Sequence, residues 1–202
     1  VETFGGETLE LSAMNGVSFA SLDRDLLGLM KKAGFKTINL SFVSIDSTTK
    51  ERLRRPKPTV EFDKMLENAE QAGLSVIAYA ILGMPGQKIE EMVDTLIDLM
   101  GRRVLIGPSI YYPTRGTFLF KQCERDGILP PHLSQWRSSA FPIETKEFNR
   151  LDMVTLFRLT RAINFIKGKI DRRELEEGIT WEELILALQE KAEGEGKDDG
   201  AP

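Results

Sequence analysis

The chain is 202 residues long, 41% hydrophobic and 29% charged, with a formal net charge of −4; that length supports one substantial core but falls short of the roughly 250 residues of a complete eight-unit barrel. The charge balance gives no electrostatic pull towards nucleic acid or an anionic membrane. Cys123 and His132, one residue of each kind, exclude an intrachain disulfide and a His/Cys metal constellation drawn from this chain alone, and with no long apolar stretch or signal-like start the expectation is a cytoplasmic protein.

Taken in chain order, Thr8 to Met14 is predicted as a first strand running into the turn Asn15-Gly16. Ser21 is placed as the cap of a helix over Asp23 to Ala33, with Leu26, Leu27, Leu29, Met30 and Ala33 on one stripe and Gly34 as terminator. Thr37 to Ser44 reads as a second strand, followed by a short helix from Ser47 or Thr48 to Arg54 and, after Pro56 and Pro58, a helix capped by Thr59. The near-continuous apolar run Ser75 to Leu82 is a third strand, suited to a sheet buried on both faces. Gly83-Met-Pro-Gly86 then opens a helix over Lys88 to Met100, and Arg103 to Tyr111 is the fourth strand.

Strands separated by helices are parallel when they share a sheet, so the architecture is a series of βα units. Phe118 to Asp126 is expected to be helical, Gly127 to Thr145 a long loop, and Leu151 to Lys167 and Trp181 to Glu193 helices. The expected organisation is a barrel part over 1–126, a loop with C-terminal helices over 127–193 and a disordered tail over 194–202. The basic run Lys50 to Lys57 reads as a solvated helix face rather than a nucleic-acid patch.

Parity within the strands carries the first functional signal, because side chains alternate faces with period 2. Ile38, Leu40 and Phe42 share one face and Asn39 and Ser41 the other. The first strand repeats this with Leu9, Leu11 and Ala13 opposite Glu10 and Ser12, and the fourth places Ser109 and Tyr111 together. A filled barrel interior is lined by bulky branched residues, so polar ones there point to a ligand-lined face; the alternative is an edge strand with Glu10 and Ser12 in solvent. The second signal is that Asn15-Gly16, Ser41 to Ser44, Gly83 to Gly86 and Tyr111 to Thr117 all follow strands, at the end where parallel α/β proteins bind ligands.

These residues carry a resemblance. Asn15-Gly16, Leu26-Leu27-x-Leu-Met-Lys-Lys-Ala-Gly-Phe35, Asn39-Leu-Ser41, Arg55-Pro56, Leu82-Gly-Met-Pro-Gly86 and Tyr112-Pro-x-x-Gly-Thr117, in this order over about residues 8 to 120, resemble the later two-thirds of the radical S-adenosylmethionine (radical SAM) core domain. The nearest branch is the one including methylthiotransferases, coproporphyrinogen oxidases and cobalamin-associated members. The resemblance implies an α/β fold of parallel βα units forming part of a (β/α)6 partial TIM-type barrel, followed by C-terminal helices.

It also implies S-adenosylmethionine and a [4Fe-4S] cluster as cofactors of the full-length protein, with the cluster cysteines upstream of Val1 and no cluster in this chain. Carried over position by position, the cofactor-binding residues implied are Asn15, Ser41, Ser44, Ile81, Gly83, Pro85, Gly86, Tyr111, Tyr112 and Pro113. Ser41 and Ser44 fall near the ribose and amino-acid part, and Ile81 and Gly83 against the adenine. Catalytic residues and substrate are left open.

Two departures stand out: Val43 where the family often has Glu, and Gln87 where a Glu commonly follows Pro-Gly. Gly5-Gly6-Glu7 matches the family's methionine-binding element in residue type only, since it leads into a strand rather than a helix. The alternative is a cluster-free, barrel-derived binding or scaffold protein; an aldolase-like barrel lacks a lysine at a convincing strand end. An unpaired first strand is expected to favour self-association.

Overall fold

The structure, a computed structural model, describes residues 10–55, 60–172 and 183. Expectations for Thr8 and Leu9, for Thr59 as a cap, for Trp181 to Glu193 apart from Glu183, and for the tail lie outside the described residues. By its contacts the chain divides into two compact units, Val1–Phe157 and Arg158–Pro202.

In the first unit three strands, β1 (Thr37–Val43), β2 (Ser75–Leu82) and β3 (Leu105–Ile110), form a parallel sheet in the order β1-β2-β3. Between them run α1 (Arg24–Ala33, before β1), α2 (Ser47–Arg52), α3 (Val60–Gln71) and α4 (Ile89–Met100), and α5 (Phe118–Arg125) follows β3. The α/β architecture of parallel βα units is therefore as the sequence predicts. The loop after α5 carries two short 3₁₀ turns, Leu133–Gln135 and Ser138–Ala140, before the last helix, α6 (Arg150–Asp171). The second unit, among the described residues, is the distal half of that helix with Arg172 and Glu183; within it the Lys169 ammonium sits 5.6 Å from the Phe165 ring centre.

The cap of α1 is an aspartate rather than the predicted Ser21, and α2 starts at Ser47 as predicted, with an aspartate before it as cap. Asp23 Oδ1 accepts from the Leu26 amide at 2.8 Å to cap α1, while Ser21 donates to the Ser18 carbonyl; Asp46 Oδ2 accepts from the Thr49 amide at 2.6 Å to cap α2. Lys31 and Lys32 occupy the last turn of α1, and Lys31 Nζ reaches the Gly73 carbonyl at 2.6 Å, tying α1 to the turn before β2.

The predicted first strand is corrected. Its described part, Glu10 to Met14, forms one isolated parallel bridge, Leu11 with Phe35, and a second, Val17 with Leu40, follows the turn. Between them the Gly16 amide turns back to the Ala13 carbonyl at 3.1 Å, which takes Ala13 to Gly16 out of the ladder. Gly16 has φ +77°, and a Cβ there would lie 3.2 Å from the Ser41 amide nitrogen, so only glycine fits this turn against β1. The alternation there does not mark an inner face: Leu11 is exposed, and Glu10 pairs in solvent with Lys36 at 2.7 Å.

On the helical side of the sheet, Ile38, Leu40, Phe42, Val76, Ala78, Ala80, Leu82, Ile106 and Ile110 are buried. Phe42 meets Phe62 of α3 with ring centres 5.2 Å apart, and Phe62 meets Phe19 edge-on at 5.0 Å. Each of these rings contributes about 2–3 kcal/mol by leaving water. The parity argument for β1 holds: the residues between them turn to the opposite face.

Candidate functional site

That opposite face is not covered by α1, α3 or α4. Register places Asn39, Ile77 and Leu105 in one layer, Ser41, Tyr79 and Gly107 in the next, and Ile81 beside Ser109 in the layer nearest the strand ends. Ser41, Tyr79 and Ser109 are half-buried, and their hydroxyls form no hydrogen bond with the described residues. Asn39 is engaged, donating to the Ala13 carbonyl at 3.3 Å. Three unbonded hydroxyls on three adjacent strands, amid Ile77, Ile81 and Leu105, form a surface suited to a ligand that is part flat and apolar and part hydrogen-bonding.

The end of β1 is irregular. Register shifts between Ser41 and Val43, and Val43 has φ +72°, a strained conformation for a β-branched residue. The Phe42 carbonyl accepts a hydrogen bond from Lys50 Nζ at 3.3 Å, and the same ammonium lies 4.6 Å from the Phe42 ring centre. Lys50 is fully buried, so the expectation of a solvated basic face fails at that residue. Burial lowers its pKa from 10.5 to about 8, opposed by the negative charge of Asp98.

Ser44, predicted near the cofactor, is also fully buried. Thr95 gives its proton to the Glu91 carbonyl at 2.7 Å, so at 3.2 Å the Ser44 hydroxyl donates to Thr95; it accepts from the Asp46 amide at 3.0 Å. It fastens the end of β1 to α4 and is not brought to the open face. Val43 is buried as well, which accounts for the absence of a carboxylate there.

The end of β2 is held by Gln87, which is buried. Its Oε1 accepts from the Gly83 and Met84 amides at 3.0 and 3.1 Å, and its Nε2 donates to the Ile81 carbonyl at 3.3 Å. A glutamate could accept both amides but has no donor for Ile81, so this departure from the family pattern has a local structural reason. Arg52 of α2 donates Nη1 to the Pro85 carbonyl at 3.1 Å. Gly86 has φ +78°, and a Cβ there would lie 3.1 Å from that same guanidinium nitrogen. The space beside Gly83 is taken by Met153 Sδ, 3.0 Å from a Cβ position, and by Phe148.

Of the remaining predicted residues, Asn15 is exposed in its turn, Pro85 and Pro113 are buried, and Tyr112 is exposed. The Tyr111 hydroxyl lies 4.0 Å from Cys123 Sγ of α5 rather than over the sheet, and burial followed by the neighbouring thiol raises its pKa. Burial likewise pushes the Cys123 thiol up, the opposite of an activated thiolate. The structure thus gathers Ser41 and Ile81 on the open face and adds Tyr79, Gly107 and Ser109, which were not among the predicted site residues. Parity alone marks Ser109; Tyr79 is hidden in the near-continuous apolar run Ser75 to Leu82.

S-adenosylmethionine fits the chemistry of this face. A [4Fe-4S] cluster does not fit these residues, since one buried cysteine cannot supply three thiolates, and no group of metal ligands occurs among the described residues. No helix among the described residues is long and apolar enough to cross a membrane. A groove lined by Lys88, Gln122, Asp126, Thr145 and Glu147 shares only Gly86 with the predicted site residues.

Residues 13–99 match the model of the Radical SAM superfamily, and no curated protein matches the chain. Among solved structures, Elp3 of the archaeon Methanocaldococcus infernus, lacking its N-terminal residues 1–46, is 16% identical with a TM-score of 0.52, over 70% of this chain and 30% of that one. Coproporphyrinogen III oxidase (HemN) from Escherichia coli, described as a radical SAM enzyme, is 17% identical with a TM-score of 0.48, over 72% of this chain and 31% of that one. The chain therefore spans under a third of the length of these structures, and the likeness to Elp3 is one of fold. The family read from the motifs is thus the one whose model residues 13–99, somewhat under half of the chain, are similar to.

Proposed function

We propose that this chain is the distal part of the barrel of a radical SAM enzyme and that its open sheet face receives S-adenosylmethionine. The observation that carries this reading is the set of free hydroxyls of Ser41, Tyr79 and Ser109 on one face, within and just beyond the segment that matches the family. Bound there, the cofactor supplies the 5′-deoxyadenosyl group. The chain's own residues bind and orient it: hydroxyls towards its polar half, Ile77, Ile81 and Leu105 towards its flat apolar part. The Gln87-braced turn fixes the backbone at Gly83 and Met84. The cluster thiolates belong, in this reading, to residues outside these 202.

The test is iron and acid-labile sulfide content, with the visible spectrum, after anaerobic reconstitution of the full-length protein beside this chain. About four iron atoms per full-length polypeptide, thiolate-to-iron absorption near 400 nm and no iron in the 202 residues alone is the expected result. No iron in either overturns the reading and favours a cluster-free binding or scaffold protein built on the same barrel part.

A further inference from the structure

Tyr79 is the one aromatic residue in the three layers of the open face, and its register partner on β3 is Gly107. A Cβ built on Gly107 would lie 2.6 Å from Tyr79 Cδ1, 2.7 Å from Cε1 and 3.0 Å from Cγ. Side chains in strands ordinarily stand away from the sheet. Contacts this short mean that the Tyr79 ring instead leans across to the neighbouring strand and lies over the Gly107 backbone. Gly107 is needed for space: any side chain would lift the ring. The ring is half-buried rather than packed away, and its hydroxyl has no partner among the described residues.

A flat aromatic surface that displaces a neighbouring side chain, yet leaves its polar end unbonded, makes a platform. In an ordinary core position the hydroxyl would have found a partner. Ser41 stands beside it on β1, and Ser109 lies one layer nearer the strand ends on β3.

We propose that Tyr79 is a ligand-contacting, specificity-determining residue: its ring is the floor of the site, and its hydroxyl bonds the polar half of a bound nucleoside. This rests on the reading that the face receives S-adenosylmethionine. Tyr79 limits how deeply a ligand can descend towards Asn39 and Leu105, and Gly107 sets the tilt of that floor.

The test is equilibrium dialysis of S-adenosylmethionine with the full-length protein, its Tyr79→Phe variant and its Gly107→Ala variant, beside their thermal melts. Tyr79→Phe keeps the ring and is expected to melt with the parent while binding about 5- to 10-fold more weakly, the loss of one hydrogen bond. Gly107→Ala is expected to destabilise the protein, and adding Tyr79→Ala to it should recover that loss by removing the ring the new methyl strikes. Equal affinity in the parent and Tyr79→Phe overturns the assignment while leaving the cofactor reading intact. Failure of the parent itself to bind overturns both. A double variant no more stable than Gly107→Ala overturns the geometry beneath the proposal.

Discussion

The ends of β1 and β2 solve the same problem by different chemistry. Each must pass from strand to helix while keeping buried backbone groups bonded. At β1 the solution is a bulge with Val43 at positive φ and a fully buried ammonium, Lys50, on the Phe42 carbonyl. At β2 it is two glycines and one neutral amide, Gln87, which satisfies two backbone donors and one acceptor. The first holds an ammonium away from water and stores strain at a non-glycine residue; at the second the backbone groups next to the strand are met by a neutral amide, and the one charge, Arg52, reaches only the Pro85 carbonyl further along the turn. Stability at the first end should therefore respond to pH through Lys50, and at the second chiefly to the shape and polarity of Gln87.

The largest expected effect tests that contrast directly. Lys50 loses its proton near pH 8 when folded and near 10.5 when unfolded, so between those values the unfolded chain binds more protons. Stability from this group consequently rises as pH goes from about 8 to about 10.5, by on the order of 3 kcal/mol. Urea unfolding at pH 7.5 and pH 10.5 should show a rise in the parent that is clearly smaller in Lys50→Met, where what remains comes from Lys167, whose pKa burial also lowers to about 8. An equal rise in both would mean the ammonium is not buried as described.

Next in size is Gln87→Leu, which fills the same space but leaves the Met84 amide and the Ile81 carbonyl unbonded. A loss of about 2 kcal/mol is expected, independent of pH between 7 and 10. A pH-dependent loss would break the comparison.

The smallest effect is that of Ser44→Ala, about 1 kcal/mol, because one hydroxyl is removed from a junction where Thr95 still bonds the Ile45 amide at 3.2 Å. Affinity for S-adenosylmethionine should be unchanged, since the hydroxyl faces α4. A marked loss of affinity would return Ser44 to the site.

What the sequence revealed and what it hid divide along the range of the interactions involved. β2 was legible to the residue, because a near-continuous apolar run between Gly73 and Gly83 depends on local pattern alone. The open face of β1 was legible from the parity of Asn39 and Ser41. The cap of α1 lies two residues from Ser21 because serine and aspartate compete for the same role and only the backbone decides. Lys50 was misread because a basic run looks solvated until the β1 bulge turns a carbonyl towards it. Tyr79 was invisible for a deeper reason: its importance lies in its pairing with Gly107, and no periodicity within one strand reports the register between two.

One bond described at the rim changes how these two ends should be regarded. Arg52 leaves the helix that follows β1 and holds the Pro85 carbonyl beyond β2. It works as a strut between neighbouring arches. The turn after one strand is thereby tied to the turn after the other, and the two loops that flank the open face are braced as one part.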